Sequence, residues 1–527
     1  MEDVFRFLSF SLWTTCVQTC RAPYLIYYQY DPPVESLHIY QYNKHLPSVN
    51  ISMNINLRKK KTKIVATIGP SSWNQKTLEK MIKQGLNVVR LNFSHGTHSE
   101  HREALDHIRK ASKATGKRVA VLQDLSGPKI RIGDVAVGGV TLKKGARFTF
   151  STKAMIATTE GASISYKKLP FEIQKGQNIM IDDGKIHLQA EKISKKNGTI
   201  SCKIIVGGFL KPRKGVNIPG AKLSVQSLTK KDKEDVLFGI KEKVDFIALS
   251  FVKTAKDVRD LRNILRKHKC KAHIIAKIET VEAMENIDSI IKEANGIMVA
   301  RGDLAIEIGP EKVPVAQKYI IEECNRLGKP VITATQMLDS MEQNPIPTRA
   351  EVSDVANAII DGTDAVMLSG ETAMGTYPAE SVATMARIAK DIEPLLDNKY
   401  LEYHGESKEV VDTITASVVR IANNVDAALI VVLTTSGSTA QMISRFKPHQ
   451  RILALCTEGH IADRLILTWG CTSAHVQKPK TIESKLDDIR NYILKEKLAS
   501  KGARIVLSFG LPFGVVGSTN TVQVMTL

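Results

Sequence analysis

From Thr62 onward the apolar residues fall into short unbroken runs, each followed by a polar tip and then by apolar positions spaced three and four apart. Such runs suit strands covered on both faces, and the wider spacing suits amphipathic helices packed over them. Eight units follow one another: KTKIVATIGP, NVVRLNFSHG, RVAVLQDLSGPK, VDFIALSFV, HIIAKIET, NGIMVARGDL, PVITATQML and TDAVMLSGET. Stretches such as TLEKMIKQG and KDVRDLRNILRKH supply the helices between them. Gly85, Gly116 and Gly328 each fall between a helix and the next strand, where a left-handed residue closes the helix. The pattern predicts an α/β protein whose eight parallel strands close into a (β/α)8 TIM barrel, with its chemistry at the carboxyl ends of the strands.

The rhythm breaks once. Between the third and fourth strands lie roughly a hundred residues with turn signals every 8 to 12 positions and short β patterns, VTLKKGARFTF, NIMIDDGKIHLQA and GTISCKIIVGG. They predict an inserted all-β lid over 130–219, a small β-barrel hinged beside the mouth of the large one, which itself takes 58–129 and 220–396. A third unit, 397–527, alternates helices with the strands DAALIVVLTT, RILALCT, CTSAHVQ and ARIVLSFG, as an open α/β sheet does. The first 52 residues differ from all of this, holding six of the 12 tyrosines. FRFLSFSLW, Phe5 to Trp13, resembles a secretory h-region, but Glu2 and Asp3 stand where positive charge is needed and Arg6 interrupts the run. A poorly ordered extension over 1–57 is expected, with Met53 as the real start and an unusual targeting segment as the alternative.

Composition narrows the partners. With 74 Lys and Arg against 54 Asp and Glu the net charge is +20, which admits nucleic acid, an anionic membrane or small polyanionic substrates. The basic residues are spread along the chain, and the densest run, Arg58 to Lys61, has no interleaved aromatics, so neither nucleic acid nor membrane is expected as a partner. No window holds the 18 or more apolar residues of a membrane span. Seven scattered cysteines with no CxxC pair fit a reducing compartment, and a cytoplasmic location is expected.

Nearly all the unusual charges follow the strands: Arg90, Asn92, Ser94 and His95 the second, Asp124, Lys129 and Arg131 the third, Lys277 and Glu279 the fifth. Arg301 and Asp303 follow the sixth, Thr335 the seventh, Ser369 and Glu371 the eighth. Two carboxylates on adjacent strands, Glu279 and Asp303, with no His or Cys nearby, favour a hard divalent cation such as Mg2+ or Mn2+; a structural ion pair is the plainer alternative. Lys277 and Glu279, two residues apart, share one side of their strand. An ammonium beside a metal and flanked by Arg90 and Arg131 suits a phosphoryl group in transfer, whose equatorial oxygens carry the charge. Gly302 adds a place where backbone can come close to a carboxylate or phosphate. In the third unit TTSGSTA, with Thr434, Thr435, Ser436, Gly437, Ser438 and Thr439, runs hydroxyls and a glycine into a helix N-terminus; it reads equally as a phosphate loop for an effector and as a capped helix start.

The strings VVRLNFSHG, IIAKIET, MVARGDLAIEIG, VITATQMLDSM, TRAEVSDVANAIIDGTDAVMLSGETAMGTYP and GSTNTVQV resemble those of the pyruvate kinases, in order from Lys63 to Leu527. The resemblance implies transfer of the phosphoryl group of phosphoenolpyruvate to ADP, giving pyruvate and ATP, in a metal-dependent homotetramer. It implies divalent-metal ligands at Glu279 and Asp303, a phosphoryl-stabilising lysine at Lys277, and an arginine on the substrate phosphate at Arg90. Backbone N–H groups around Gly302 would take the substrate carboxylate, and Thr335 would stand beside the enolate carbon for proton delivery through a water. Asn92, His95, Arg131 and Lys214 match positions around the nucleotide phosphates, Lys214 reaching in from the lid. The TTSGSTA loop and the final FGLPFGVVGSTN loop match an effector site for a sugar phosphate or nucleotide. Metal-dependent aldolases and lyases also place Glu and Asp at strand ends, but they lack the insert and the third unit.

Within that family a K+ ion often sits in a cage resembling Asn92, Ser94, Asp124 and the carbonyl of Leu125, with a glutamate following the Gly-Pro pair. Here LQDLSGPKIRIG carries Lys129 at that place. The change is two charge units, which makes an added K+ both less needed and harder to hold. The string resembles the branch that works without K+, with the Lys129 ammonium in the cation's role. The rival expectation is a simple salt bridge from Lys129 to Asp124 or to the lid.

Overall fold

The computed structural model describes residues 60–396, 401, 409–476, 482–511, 517 and 519–527. The extension expected over 1–57 lies outside them. Eight parallel strands close a barrel: β1 (Lys63–Thr67), β2 (Val88–Asn92), β3 (Ala120–Asp124), β4 (Phe246–Leu249), β5 (His273–Ile278), β6 (Gly296–Ala300), β7 (Val331–Ala334) and β8 (Ala365–Leu368). Each corresponds to one of the apolar runs. Closure comes through β1, which pairs with β2 at Val65 and Val88 and with β8 at Lys63 and Ala365. Gly116 and Gly328 take the left-handed conformation after their helices, at φ 64° and 63°.

Side-chain alternation then decides what faces the barrel axis. Val65, Val88, Leu122, Ala248, Ile275, Met298, Ile332 and Ala365 form one buried cluster. Residues one step away, such as Ile64, Val89, Ile247, Ile274 and Ile297, join the larger cluster beneath the helices. Burying one such side chain contributes about 1.5–3 kcal/mol, so the interior stays apolar until the strand ends. Counting on in twos from the interior residues reaches Thr67, Arg90, Asn92, Asp124, Ser250, Lys277 and Glu279. Register levels this rim, since Thr67 is opposite Arg90, and Asp124 opposite both Asn92 and Ala248.

The insert leaves after β3 and returns through a paired neck, in which the Val216 N–H donates to the Ile130 carbonyl at 2.8 Å and the Ile132 N–H to the Lys214 carbonyl at 3.0 Å. Its strands form a six-stranded sheet, Thr199–Val206 lying between Ile186–Ser194 and Arg147–Ser151, and a separate pair, Val140–Leu142 with Gly208–Leu210. The two edges of the larger sheet are linked through the neck, Ile132 bridging to Ile164 beside Gly161–Ser163 and Arg131 to Gly215 beside Val216–Asn217. Phe148, Phe150, Ile179, Leu188 and Ile200 fill a core separate from that of the large barrel.

The C-terminal sheet contains β9 (Leu429–Thr434), β10 (Arg451–Cys456), β11 (Cys471–His475), β12 (Arg504–Gly510) and β13 (Thr519–Thr526), in the order β11-β10-β9-β12-β13. The last strand was not expected. It runs antiparallel to β12, and its polar sequence TNTVQVMT suits an edge. Leu467 of this unit joins the interior cluster of the large barrel. Its neighbour Trp469 donates its N–H to Asp364, just before β8, so the unit seats against the end of the barrel opposite the charged rim. Among the described residues no helix is long and apolar enough to cross a membrane.

Candidate active site

The rim gathers its charges around Lys277. Its Nζ lies 2.9 Å from Glu279 Oε1 and 3.4 Å from Asp124 Oδ1, and donates to Ser250 Oγ at 2.8 Å. Only 12% of the lysine side chain is exposed. Burial pulls its pKa down, but the Asp124 and Glu279 carboxylates outweigh that and hold it above the ordinary lysine range. The ammonium is a permanent cation.

Asp124 is held from the other side by Arg90, whose Nε donates to Oδ2 at 2.7 Å and whose remaining fork reaches Thr67 Oγ1 at 2.8 Å. Burial pushes the Asp124 carboxyl up, but Lys277 and Arg90 together keep it below the usual carboxylate value. The expected monovalent-cation cage is therefore engaged by the protein's own groups. Asn92 Oδ1 accepts the Ser94 N–H at 3.1 Å, and the Leu125 carbonyl accepts the Ser250 hydroxyl at 2.7 Å.

Glu279 is 1% exposed, and its second oxygen accepts the Phe251 N–H at 2.7 Å. Burial raises its pKa, Lys277 opposes this, and the Asp303 carboxylate adds to the rise. Two carboxylates that repel one another in a low-dielectric rim are a donor set for a hard cation. Among the described residues no three His, Cys, Asp or Glu converge as a complete metal site. A pair of carboxylates fits Mg2+ or Mn2+, which keep waters and take oxygens from a bound phosphate.

Among the described residues Lys129 pairs with neither partner of the rival expectation, Asp124 or the lid. Its Nζ stands 3.8 Å from Asp303 Oδ1, and no ion pair joins it to Asp124 among the described residues. The backbone explains the direction. Gly127, at φ 66°, donates its N–H to Asp232 Oδ1 at 3.1 Å, and a Cβ there would come within 2.8 Å of the Phe251 ring and 2.9 Å of Ser250. The turn is thus pressed over the tip of β4, and Lys129 leaves it along the neck, against Gly215.

At the end of β7 Thr335 has φ 71° and Gln336 φ 52°. A β-branched residue in the left-handed region costs on the order of 1–3 kcal/mol and persists only where its surroundings hold it. Thr335 Oγ1 accepts the Gly302 N–H at 2.8 Å and donates to the Ala334 carbonyl at 2.6 Å. Gly302 therefore does not present a free N–H as expected, because the threonine hydroxyl takes it. A Cβ on Gly302 would meet nothing nearer than Thr335 Oγ1 at 3.7 Å, so the missing side chain is not demanded by the protein's own packing.

His95 feels burial first and then the cations Arg131, Arg90 and Lys129, which all push its pKa below the ordinary value. That is the field a polyanion would meet. Lys214 does not reach into this field. Its ammonium is 2.6 Å from Asp182 Oδ1, inside the insert, because Asp182 sits in a tight turn at φ 54° facing the neck. Arg131 likewise donates to the Arg213 carbonyl at 3.0 Å.

In the C-terminal unit Thr434 Oγ1 accepts the Gly437 N–H at 2.8 Å, the Ser436 and Ser438 hydroxyls meet at 2.9 Å, and Thr439 bonds Thr519 at 2.6 Å. Thr435 is half-buried. Most of the loop's hydroxyls are occupied with one another, as in a capped turn. Residues 512–516 and 518 of the FGLPFGVVGSTN loop lie outside the described residues. Cys202, Cys324, Cys456 and Cys471 are buried free thiols, and burial raises the pKa of Cys202 and Cys456 to about 12.

Sequence reasoning missed Ser250, Phe251 and Thr67 at the rim. The signal for Ser250 was present, since Phe246, Ala248 and Ser250 share one parity.

Comparison with known proteins gives a consistent result. Residues 59–382 match the family model described as pyruvate kinase, barrel domain, and 412–525 match pyruvate kinase, alpha/beta domain. A pyruvate kinase of Geobacillus stearothermophilus is 46% identical over 470 residues, 88% of this chain and 80% of that protein. One from Staphylococcus haemolyticus is 46% identical over 469 residues, with the same coverage of 88% and 80%. A crystal structure of a pyruvate kinase from Cryptosporidium parvum superposes with a TM-score of 0.83 at 38% identity, covering 89% of this chain and 96% of that one.

Proposed function

The chain belongs to the pyruvate kinase family of phosphotransferases, and from that premise we propose that its rim moves the phosphoryl group of phosphoenolpyruvate to ADP with the residues described above. Carrying this is one juxtaposition: the permanent cation Lys277 stands 2.9 Å from Glu279 on a rim that also bears Arg90 and Asp303.

Phosphoenolpyruvate seats its phosphate toward Arg90 and Lys277, and its carboxylate toward the N-terminus of the helix Arg301–Ile308, at the backbone N–H groups that neighbour Gly302, whose own N–H Thr335 holds. ADP enters from the side of Asn92, His95, Arg131 and Lys214; Lys214 must exchange Asp182 for a phosphate as the insert closes. The bond from phosphorus to the enol oxygen breaks as a bond to the terminal ADP oxygen forms, and the charge spread over the three equatorial oxygens is met by Lys277. Glu279 and Asp303 would hold a divalent ion, Mg2+ or Mn2+, which when bound supplies further neutralisation of the substrate oxygens. The enolate left behind takes a proton at its methylene carbon, delivered through a water held by the Thr335 hydroxyl, and becomes pyruvate.

Lys129 takes the part that K+ plays elsewhere in the family. Its fixed positive charge lies at the mouth already, and Asp124 is engaged by Arg90 and Lys277, so a monovalent cation has little to bind. A homotetramer, a cytoplasmic location and a phosphorylated effector at Thr434–Thr439 complete the proposal.

The decisive experiment supplies purified protein with phosphoenolpyruvate, ADP and Mg2+ and follows pyruvate and ATP together. Pyruvate without ATP would indicate a lyase or phosphatase and overturn the proposal. Rates in K+ and in a bulky inert cation at equal ionic strength should agree within about twofold, and a large stimulation by K+ removes the role given to Lys129.

A further inference from the structure

Arg301 follows β6 directly and spends its guanidinium on the end of β7. Its Nε donates to the carbonyls of Ala334 at 3.2 Å and Thr335 at 3.3 Å, and its second terminal nitrogen to Thr335 at 2.7 Å and Gln336 at 3.3 Å. The remaining nitrogen is anchored to Asp354 Oδ1 at 2.7 Å. The arginine side chain is 11% exposed. Three consecutive carbonyls thus converge on one fork, because Thr335 and Gln336 both have positive φ.

Such a pair of left-handed residues, one of them β-branched, relaxes unless something holds it. The same helix start grips Thr335 twice: the Gly302 N–H binds its hydroxyl at 2.8 Å and Arg301 binds its carbonyl. A planar guanidinium can serve several carbonyls and a carboxylate at fixed angles, which a lysine ammonium cannot.

We propose that Arg301 is a positioning residue for the protonation half of the reaction, acting through Thr335 by locking the strained end of β7 so that the hydroxyl faces the enolate carbon. The proposal rests on the role given to Thr335 above. It separates Arg301 from phosphoryl transfer itself, which depends on Lys277 and Arg90. In the reverse sense the same machinery removes a methyl proton from bound pyruvate to give the enolate, and returns a solvent proton to that carbon.

The test compares the unaltered enzyme with Arg301→Lys, Thr335→Ala and the double variant, each with Mg2+ bound. Two rates are read: ATP formation from phosphoenolpyruvate and ADP, and exchange of the pyruvate methyl protons in D2O followed by NMR. Thr335→Ala should lose exchange by roughly a hundredfold, and Arg301→Lys by roughly tenfold or more. The KM for phosphoenolpyruvate in Arg301→Lys should stay within about threefold of the parent. Adding Arg301→Lys to Thr335→Ala should lower exchange no further, since a residue that works through Thr335 has nothing left to position. Additive losses, or exchange that survives Arg301→Lys, overturn the proposal, as does a rise in KM that matches the loss of exchange. If Arg301→Lys does not fold, Arg301→Gln carries the same cycle. Failure of the unaltered chain to form ATP overturns the assigned reaction, whereas exchange retained by Thr335→Ala removes the role of Thr335 and this inference with it.

Discussion

The Lys129 ammonium faces the Asp303 carboxylate at 3.8 Å, so the residue that departs from the family's usual glutamate is aimed at a proposed ligand of the divalent ion. A glutamate there, one atom shorter than lysine, would bring its carboxylate to about 5 Å from the other, a repulsion of up to about 3 kcal/mol at an effective dielectric near 20, less what solvent screens at these quarter-exposed groups. Lys129→Glu should therefore lose at least tenfold in rate without K+ and recover most of it when K+ is added. Initial rates across K+ concentrations at fixed ionic strength check this; a variant that stays insensitive to K+ would mean that Lys129 is only a salt-bridge partner.

Lys277 is predicted to divide stability from catalysis. Replacement by Met removes the cation shared by Asp124 and Glu279, and a broken buried pair costs about 3–5 kcal/mol. Asp124 keeps Arg90, so most of the penalty falls on Glu279. Lys277→Met should drop kcat by a thousandfold or more, equivalent to about 4 kcal/mol. Adding Glu279→Gln should restore much of the lost stability in urea titration and none of the activity. Recovery of both together would show that Lys277 acts only through folding.

The barrel was legible because its strands are short apolar runs separated by helices of clear period, and the rim because parity carries interior residues outward to Arg90, Asp124 and Lys277. In the insert, the part that Arg131 and Ile132 take in bridging the outer strands was not, since isolated bridges leave no turn signal. Strand β13 escaped because an edge strand needs no apolar run. The partners of Lys129 and Lys214 were beyond sequence reasoning for a different reason. A long flexible cation can reach several carboxylates, and only the paths of the neck and of the turn at Asp182 decide between them. Arg301 was visible as a strand-end charge, but its three carbonyls depend on the dihedrals of Thr335 and Gln336, which no residue type there announces.

Glu307 should set a pH dependence of stability. Burial raises its pKa from 4.5 to about 7, with Asp303 adding to the rise and the N–H groups of Gly220 and Val281 opposing it. Between those two values the folded protein keeps a proton that the unfolded chain releases, so stability falls as pH rises through this window and the loss is complete above it. The size is on the order of 1–3 kcal/mol for this half-buried group. Glu307→Gln should melt at nearly the parent temperature at pH 4.5 and several degrees higher at pH 8. An unchanged slope between those values would assign the dependence to other groups.

At the far end of the barrel, Lys447 Nζ lies 3.0 Å from Asp364 Oδ1, with 1% and 6% of the two side chains exposed. The other Asp364 oxygen accepts the Val331 N–H at 3.0 Å at the start of β7, and Oδ1 also accepts the Trp469 N–H at 3.2 Å. The C-terminal unit is thus tied to β7 and β8 by a buried charge pair whose desolvation is offset only while both partners remain. Burial pushes the Lys447 pKa down and Asp364 pulls it up again. Lys447→Met should cost about 3–5 kcal/mol by stranding the carboxylate, while Lys447→Met with Asp364→Asn should regain part of it, since the charge is gone and the amide oxygen still accepts one of the two backbone N–H groups. Activity per folded molecule should stay within about twofold in the double variant, because the rim lies a barrel's length away. Thermal unfolding read together with the rate decides the point: equal loss in the single and double variants would show that packing, rather than charge, joins the two units.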